Sequence, residues 1–147
     1  MISRRLHVLA LLLVLASGSI YGHHSLSEYD ASRRVTLNAV VREFHFVNPH
    51  PYLLVDGLST GPGASRVEAA SRIWRLELDN RFELIDIGMT AKSFARGDEL
   101  LVSGPPGRDD QAILYVRELY RAEDGFRYEQ VGNTPQIIRA PLPGRRR

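Results

Sequence analysis

The apolar positions alternate along the chain, and the alternation changes phase once within a single run. From Val35 the apolar residues are odd-numbered, Val35, Leu37, Ala39 and Val41; past Glu43 they are even-numbered, Phe44 and Phe46. Strand side chains point alternately to opposite faces, so this predicts one long strand over Val35–Val47 with a bulge or sharp coil at Val40–Glu43. Asn48-Pro49-His50-Pro51 breaks the strand, since proline fixes φ and lacks an amide donor. A second strand is predicted at Tyr52–Val55. Gly57, Gly61, Pro62, Gly63 and several serines then mark a long connection over 57–71. A third strand, Ile73–Leu78, carries Trp74, Leu76 and Leu78 on one face. The period then lengthens: Phe82, Leu84, Ile85 and Met89 suit a short helix over 81–88, N-capped by Asp79 or Asn80 and ending near Gly88. After the turn Ala95-Arg96-Gly97-Asp98 come strands at Glu99–Val102 and Ile113–Tyr120, separated by the loop from Gly104 to Asp110. Asp124-Gly125 marks a hairpin into Phe126–Val131.

This order predicts a mainly β domain over 35–131. It fits a small five-to-six-stranded antiparallel OB-like barrel with one short helix between strands 3 and 4. Another small antiparallel barrel or a sandwich is the competing architecture. Residues 23–34, polar apart from Tyr29, read as an N-terminal arm, and 132–147 as a disordered Pro/Arg tail.

The first 22 residues stand apart. Arg4 and Arg5 precede an apolar run from Leu6 to Leu15, broken only by His7, and then come Ala16, Ser17, Gly18 and Ser19. Charge, then apolar run, then small residues is the order of a cleavable signal peptide. A spanning helix needs about 20 apolar residues, roughly twice this run. Cleavage after Gly18 would place Ala16 at −3; cleavage after Gly22 would place Ile20 there and make His23 the mature N-terminus. The expected location is therefore the periplasm, with no stable membrane span once the leader is removed.

Composition narrows the function. There is no cysteine, hence neither a disulfide framework nor a lipid-anchoring cysteine. Losing residues 1–22 removes Arg4 and Arg5, so the 19 basic residues fall to 17 and balance the 17 acidic ones. A neutral domain with its one basic cluster at Arg145-Arg146-Arg147 is not expected to bind nucleic acid.

Four histidines lie beyond residue 22: His23, His24, His45 and His50. Neutral imidazole is the commonest metal ligand. With cleavage after Gly22, the α-amine and ring of His23 together with His50 would make a three-nitrogen set suited to copper, with His24 competing and Glu28, Asp30 or Glu43 assisting. Each histidine also has a plain reading: a polar arm, a turn residue between prolines, a half-exposed strand position. Catalytic patterns are weaker. There is no Gly-x-Ser-x-Gly elbow and no cysteine nucleophile. Glu77 and Asp79 alternate with apolar residues and are expected on the solvent face, and Asp109-Asp110 in a solvated loop. Phe44, Phe46, Tyr52 and Trp74 could stack on a ligand, as on an OB binding face, but Phe44, Phe46 and Trp74 are expected in the core.

The set His23-His24-Ser25, Tyr29-Asp30, Val41-Arg42-Glu43-Phe44, Asn48-Pro49-His50, Trp74, Glu77, Gly88 and Gly97-Asp98 resembles the domain-of-unknown-function family 6152, small exported bacterial proteins. The resemblance spans about residues 23–121. It departs where Gly22 replaces the usual alanine before the first histidine and where Phe46 stands in place of tryptophan. It implies export and a shared His-His-Ser/Asn-Pro-His feature, and brings no reaction with it. The expected function is an exported, non-catalytic periplasmic binding module, with a ligand-binding patch of His23, His24, Ser25, Asn48 and His50. The alternative is a copper- or zinc-binding protein using His23, His24 and His50; a hydrolase is the least supported. Expected partners are a small ligand, a metal ion or a periplasmic protein.

Overall fold

A computed structural model describes residues 26–59 and 70–138. The leader, His23-His24-Ser25, most of the β2–β3 connection and the last nine residues lie outside the described residues. The described chain forms β1 (Val35–His45), β2 (Tyr52–Ser59), β3 (Arg72–Glu77), α1 (Arg81–Asp86), β4 (Glu99–Gly104), β5 (Ile113–Tyr115), β6 (Glu118–Arg121), β7 (Phe126–Val131) and β8 (Thr134–Ile138), preceded by one 3₁₀ turn at Leu26–Glu28.

β1 carries the expected irregularity. Its register against β2 shifts between Val41 and Glu43, so the odd-numbered inward set gives way to Phe44 opposite Leu53. At the same point β1 leaves β4: Val41 N donates to Asp98 O at 2.9 Å and Gly97 N to Val41 O at 2.8 Å. The inward residues Leu37, Val41, Leu53, Val55, Trp74 and Leu76 are buried, and Leu84 of α1 joins the same core. Trp74 is core as expected, while Phe44 and Phe46 are partly buried against it. Asn80 caps α1, its side chain accepting from Phe82 N at 2.8 Å, and Gly88 ends the turn with φ of 91°.

All eight strands form one sheet in the order β5-β3-β2-β1-β4-β6-β7-β8. This corrects the expected count of five or six, and the ladder has two ends rather than closing on itself. Two causes are visible. The stretch expected as one strand over 113–120 is split: β5 runs parallel to β3 and β6 antiparallel to β4. The crossing takes two residues, with Val116 N bonded to Glu77 O at 2.8 Å and Arg117 N to Ser103 O at 2.9 Å. The inward set slips there from Leu114 and Val116 to Leu119, which is why one strand cannot serve both neighbours. The second cause is β8. Residues 134–138 belong to the expected tail but pair antiparallel with β7, so the sheet includes residues up to Ile138.

Candidate functional site

The β1–β2 connection is pinned to the start of α1. Leu78 N donates to Pro51 O at 2.9 Å, Arg81 N to Pro49 O at 3.0 Å, and Arg81 Nε to Phe46 O at 3.2 Å. The Arg81 guanidinium also lies 5.0 Å from the Phe46 ring centroid, an attractive cation–π distance. These contacts present Asn48 on the surface and hold His50 half-buried, with Nδ1 3.3 Å from the Leu78 carbonyl oxygen. A carbonyl only accepts, so His50 Nδ1 is the donor in this contact.

Acidic groups surround this rim. Asp79 Oδ1 accepts from Asn80 N at 2.7 Å, and its Oδ2 accepts from Gln130 Nε2. Gln130 Oε1 accepts in turn from Tyr128 OH at 3.0 Å. The Glu83 carboxyl is raised above its usual range, by removal from water first, then by Asp79 and Asp86, against an opposing pull from His50.

Beside the rim, the N-terminal segment lies over the outer side of β3 and β5. Asp30 N bonds Pro106 O at 2.8 Å and Arg108 N bonds Glu28 O at 2.9 Å. Tyr29 packs 5.7 Å from the Tyr115 ring and donates its hydroxyl to Glu77 Oε2 at 3.2 Å. Arg75 approaches the same carboxylate oxygen at 3.5 Å. Glu77 was expected on the solvent face; it does project outward from β3, but at 5% exposure it is buried, because Tyr29 covers it. Sequence reasoning missed this pair. The available signal was Tyr29, the one large apolar ring in an otherwise polar stretch.

The other candidate residues do not converge. His45 stacks on Tyr52 at 4.5 Å between ring centroids and pairs with Glu43 at 2.8 Å. Arg75 lies over the same Tyr52 ring at 4.5 Å. Asp30 accepts from the Ser32 hydroxyl and amide, which holds its carboxyl below the usual range. Asp109 and Asp110 are exposed in the loop before β5, as expected. Among the described residues no group of three or more histidine and acidic side chains is placed to hold a metal ion. His23, His24 and Ser25 of the expected site lie outside the described residues, so of that site Asn48 and His50 are the members seen together. No described helix is long and apolar enough to cross a membrane.

The buried tyrosines make the domain sensitive to alkali. Tyr29 is raised by burial first and then by the Glu77 carboxylate; Tyr115 is pushed up to about 12 by burial first and then by Asp79; Tyr128 is raised by burial first and then by Asp79. In the unfolded chain each titrates near pH 10, so the folded form retains these protons longer. Their contribution to stability is complete below about pH 10 and is lost as pH rises through the folded values. Urea midpoints measured from pH 8 to 12 should fall steeply above about pH 10, with a shallower fall in Tyr115→Phe. An unchanged midpoint at pH 11 would contradict it.

Fold and site together define a mainly β domain whose β1–β2 turn, helix cap and N-terminal segment meet around the end of β3. The chain belongs to the family of unknown function DUF6152, whose sequence profile covers residues 11–114. No curated protein and no solved structure matches the chain.

Proposed function

We propose that the chain is an exported, non-catalytic binding module of the periplasm that takes its ligand at the Asn48-Pro49-His50 rim. The reading rests on one observation, the 3.3 Å approach of His50 Nδ1 to the Leu78 carbonyl. Ligand-binding imidazoles commonly have their other ring nitrogen held by a backbone carbonyl, as Nδ1 is here. The neighbouring carboxyls of Asp79 and Glu83 favour a cationic or hydrogen-donating ligand over an anionic one. Export is supported by the order of charge, apolar run and small residues in 1–22.

An OB-type barrel is the architecture we propose for β1–β6. In its support, β5 and β6 are consecutive pieces of one stretch, the first on β3 and the second on β4, while β1 pairs with both β2 and β4. The neighbour order is then 1-2-3-5-4-1, counting residues 113–121 as the fifth strand. In OB-folds the face of strands 2 and 3 and the adjoining loops bind ligands.

A second reading, copper or zinc held by His23, His24 and His50, is favoured by the Tyr29 contact. Tyr29 is tied to Glu77, and His50 is tied to the next residue, Leu78. The five residues from His24 to Tyr29 reach at most about 17 Å when extended.

Both readings are tested by a thermal-shift screen of Cu(II), Zn(II) and small polar ligands on the exported protein and His50→Ala. A ligand of the rim should raise Tm of the parent by several degrees at about 100 Kd, and the shift should vanish in His50→Ala. Identical shifts in both proteins would remove the rim. If a metal is the ligand, titration should give affinity tighter than about 1 μM. Mass spectrometry should then find His23 as the first residue; Ser19 would exclude the terminal amine as a ligand.

A further inference from the structure

The opposite end of β2 and β3 gathers buried donors that find no acceptor among the described residues. Arg72 opposes Gly57 across the ladder, Trp74 follows two residues on along β3, and Ser59 lies two residues beyond Gly57 along β2. The two-residue spacing puts all of them on the inward face. Trp74 is 0% exposed and Ser59 5%. The Arg72 guanidinium lies 4.5 Å from the Trp74 ring centroid and donates through Nη1 to Asp110 O at 3.0 Å. Among the described residues nothing accepts from Arg72 Nε, Arg72 Nη2, Trp74 Nε1 or Ser59 Oγ. Gly57 brings the β2 backbone against the indole: a Cβ there would sit 2.7 Å from Trp74 Cδ1 and 3.3 Å from Nε1.

Leaving a buried donor unpaired is unfavourable, and native interiors contain few such groups. Several in one place form a donor set awaiting an acceptor. Arg72 narrows the chemistry. Nε and Nη2 form the side-on fork of a guanidinium, which matches two oxygens of a carboxylate or a phosphate. The cation–π contact with the indole and the bond to Asp110 hold the guanidinium before any ligand arrives.

We infer that this end of the sheet binds a small oxyanion, a carboxylate or phosphate group taken side-on by Arg72, with Trp74 Nε1 and Ser59 Oγ as further donors. The site is separate from the His50 rim, since Tyr52 to Ser59 spans about 23 Å of strand. The β2–β3 connection, outside the described residues, has one acidic residue in its sequence, Glu68, which serves as a control.

Trp74 is the sole tryptophan of the chain, so its emission reports this site. The full exported chain is titrated with sodium phosphate and, separately, sodium acetate, each against sodium chloride at matched ionic strength. At least one of the two anions should give a saturable change in emission that chloride does not give. Which one responds identifies the group. Arg72→Lys keeps the charge but not the fork and should weaken the response about tenfold or more. Ser59→Ala, the milder change, should weaken it several-fold, and Glu68→Gln should respond like the parent. Absence of a saturable change with either anion up to about 100 mM overturns the inference. So does a response confined to Glu68→Gln, which would mean that the chain's own carboxylate fills the fork, or unweakened binding in both Arg72→Lys and Ser59→Ala.

Discussion

Gly104→Ala is expected to lose at least about 3 kcal/mol of stability, with Tm lower by about 10 °C or more. A Cβ at residue 104 would lie 1.9 Å from Tyr115 O, 3.0 Å from Tyr115 C and 3.2 Å from Arg117 N. All three are backbone atoms, so no change of rotamer relieves the overlap. Either the end of β4 or the 113–117 crossing has to move, and the bond from Arg117 N to Ser103 O sits in that crossing. Gly132→Ala is the informative comparison. Gly132 has φ of 63° and nothing within 4 Å of an added Cβ, so its cost is conformational, about 1 kcal/mol. Urea unfolding of both variants separates the two causes. Equal losses would mean that β4 does not approach the crossing this closely.

Arg121→Ala should cost about 3–5 kcal/mol and Arg121→Lys about 2 kcal/mol. The Arg121 side chain is 14% exposed and joins three parts of the chain. It donates to Ser93 O at 3.0 Å and to Asp98 Oδ2, and clasps both oxygens of Asp124 at 3.0 and 2.8 Å. Its guanidinium also lies 5.5 Å and 5.3 Å from the Phe94 and Phe126 ring centroids. Truncation leaves the Asp98 carboxylate, 13% exposed, still accepting from the Ala95 amide but without its cation. Lysine keeps the charge but cannot make the fork to Asp124 or offer a guanidinium to the two rings. Most of the loss should survive 1 M salt, because the Asp98 pair is shielded while the Asp124 contact, half exposed, is screened. Denaturant titrations at low and high salt check this, and a Lys variant as stable as the parent would contradict it.

Much of the secondary structure was legible in local pattern. The phase change from Val41 to Phe44 marked the bulge, because a strand can change its buried parity only by adding a residue. Asn80 and Gly88 marked the ends of α1, since each does its work within a few residues of itself. Asp124-Gly125 marked the β6–β7 turn for the same reason; Gly125 has φ of 69°. β8 left no such trace. Thr134, Ile137 and Ile138 favour a strand, but Pro135 and Gln136 interrupt the run, and those residues become a strand by completing hydrogen bonds to β7.

The candidate site divides in the same way. That His50 sits in a proline-bounded turn, and that Glu77 points away from Trp74, follow from the sequence, because turn chemistry and strand parity are local. That Glu77 is buried, that His50 meets the Leu78 carbonyl, and that Arg121 joins three segments were decided by the tertiary structure. Glu77 and Tyr29 are 48 residues apart, and Arg121 lies 28 residues from Ser93. Parity assigns a residue its face; whether that face meets water depends on which distant segment comes to rest over it.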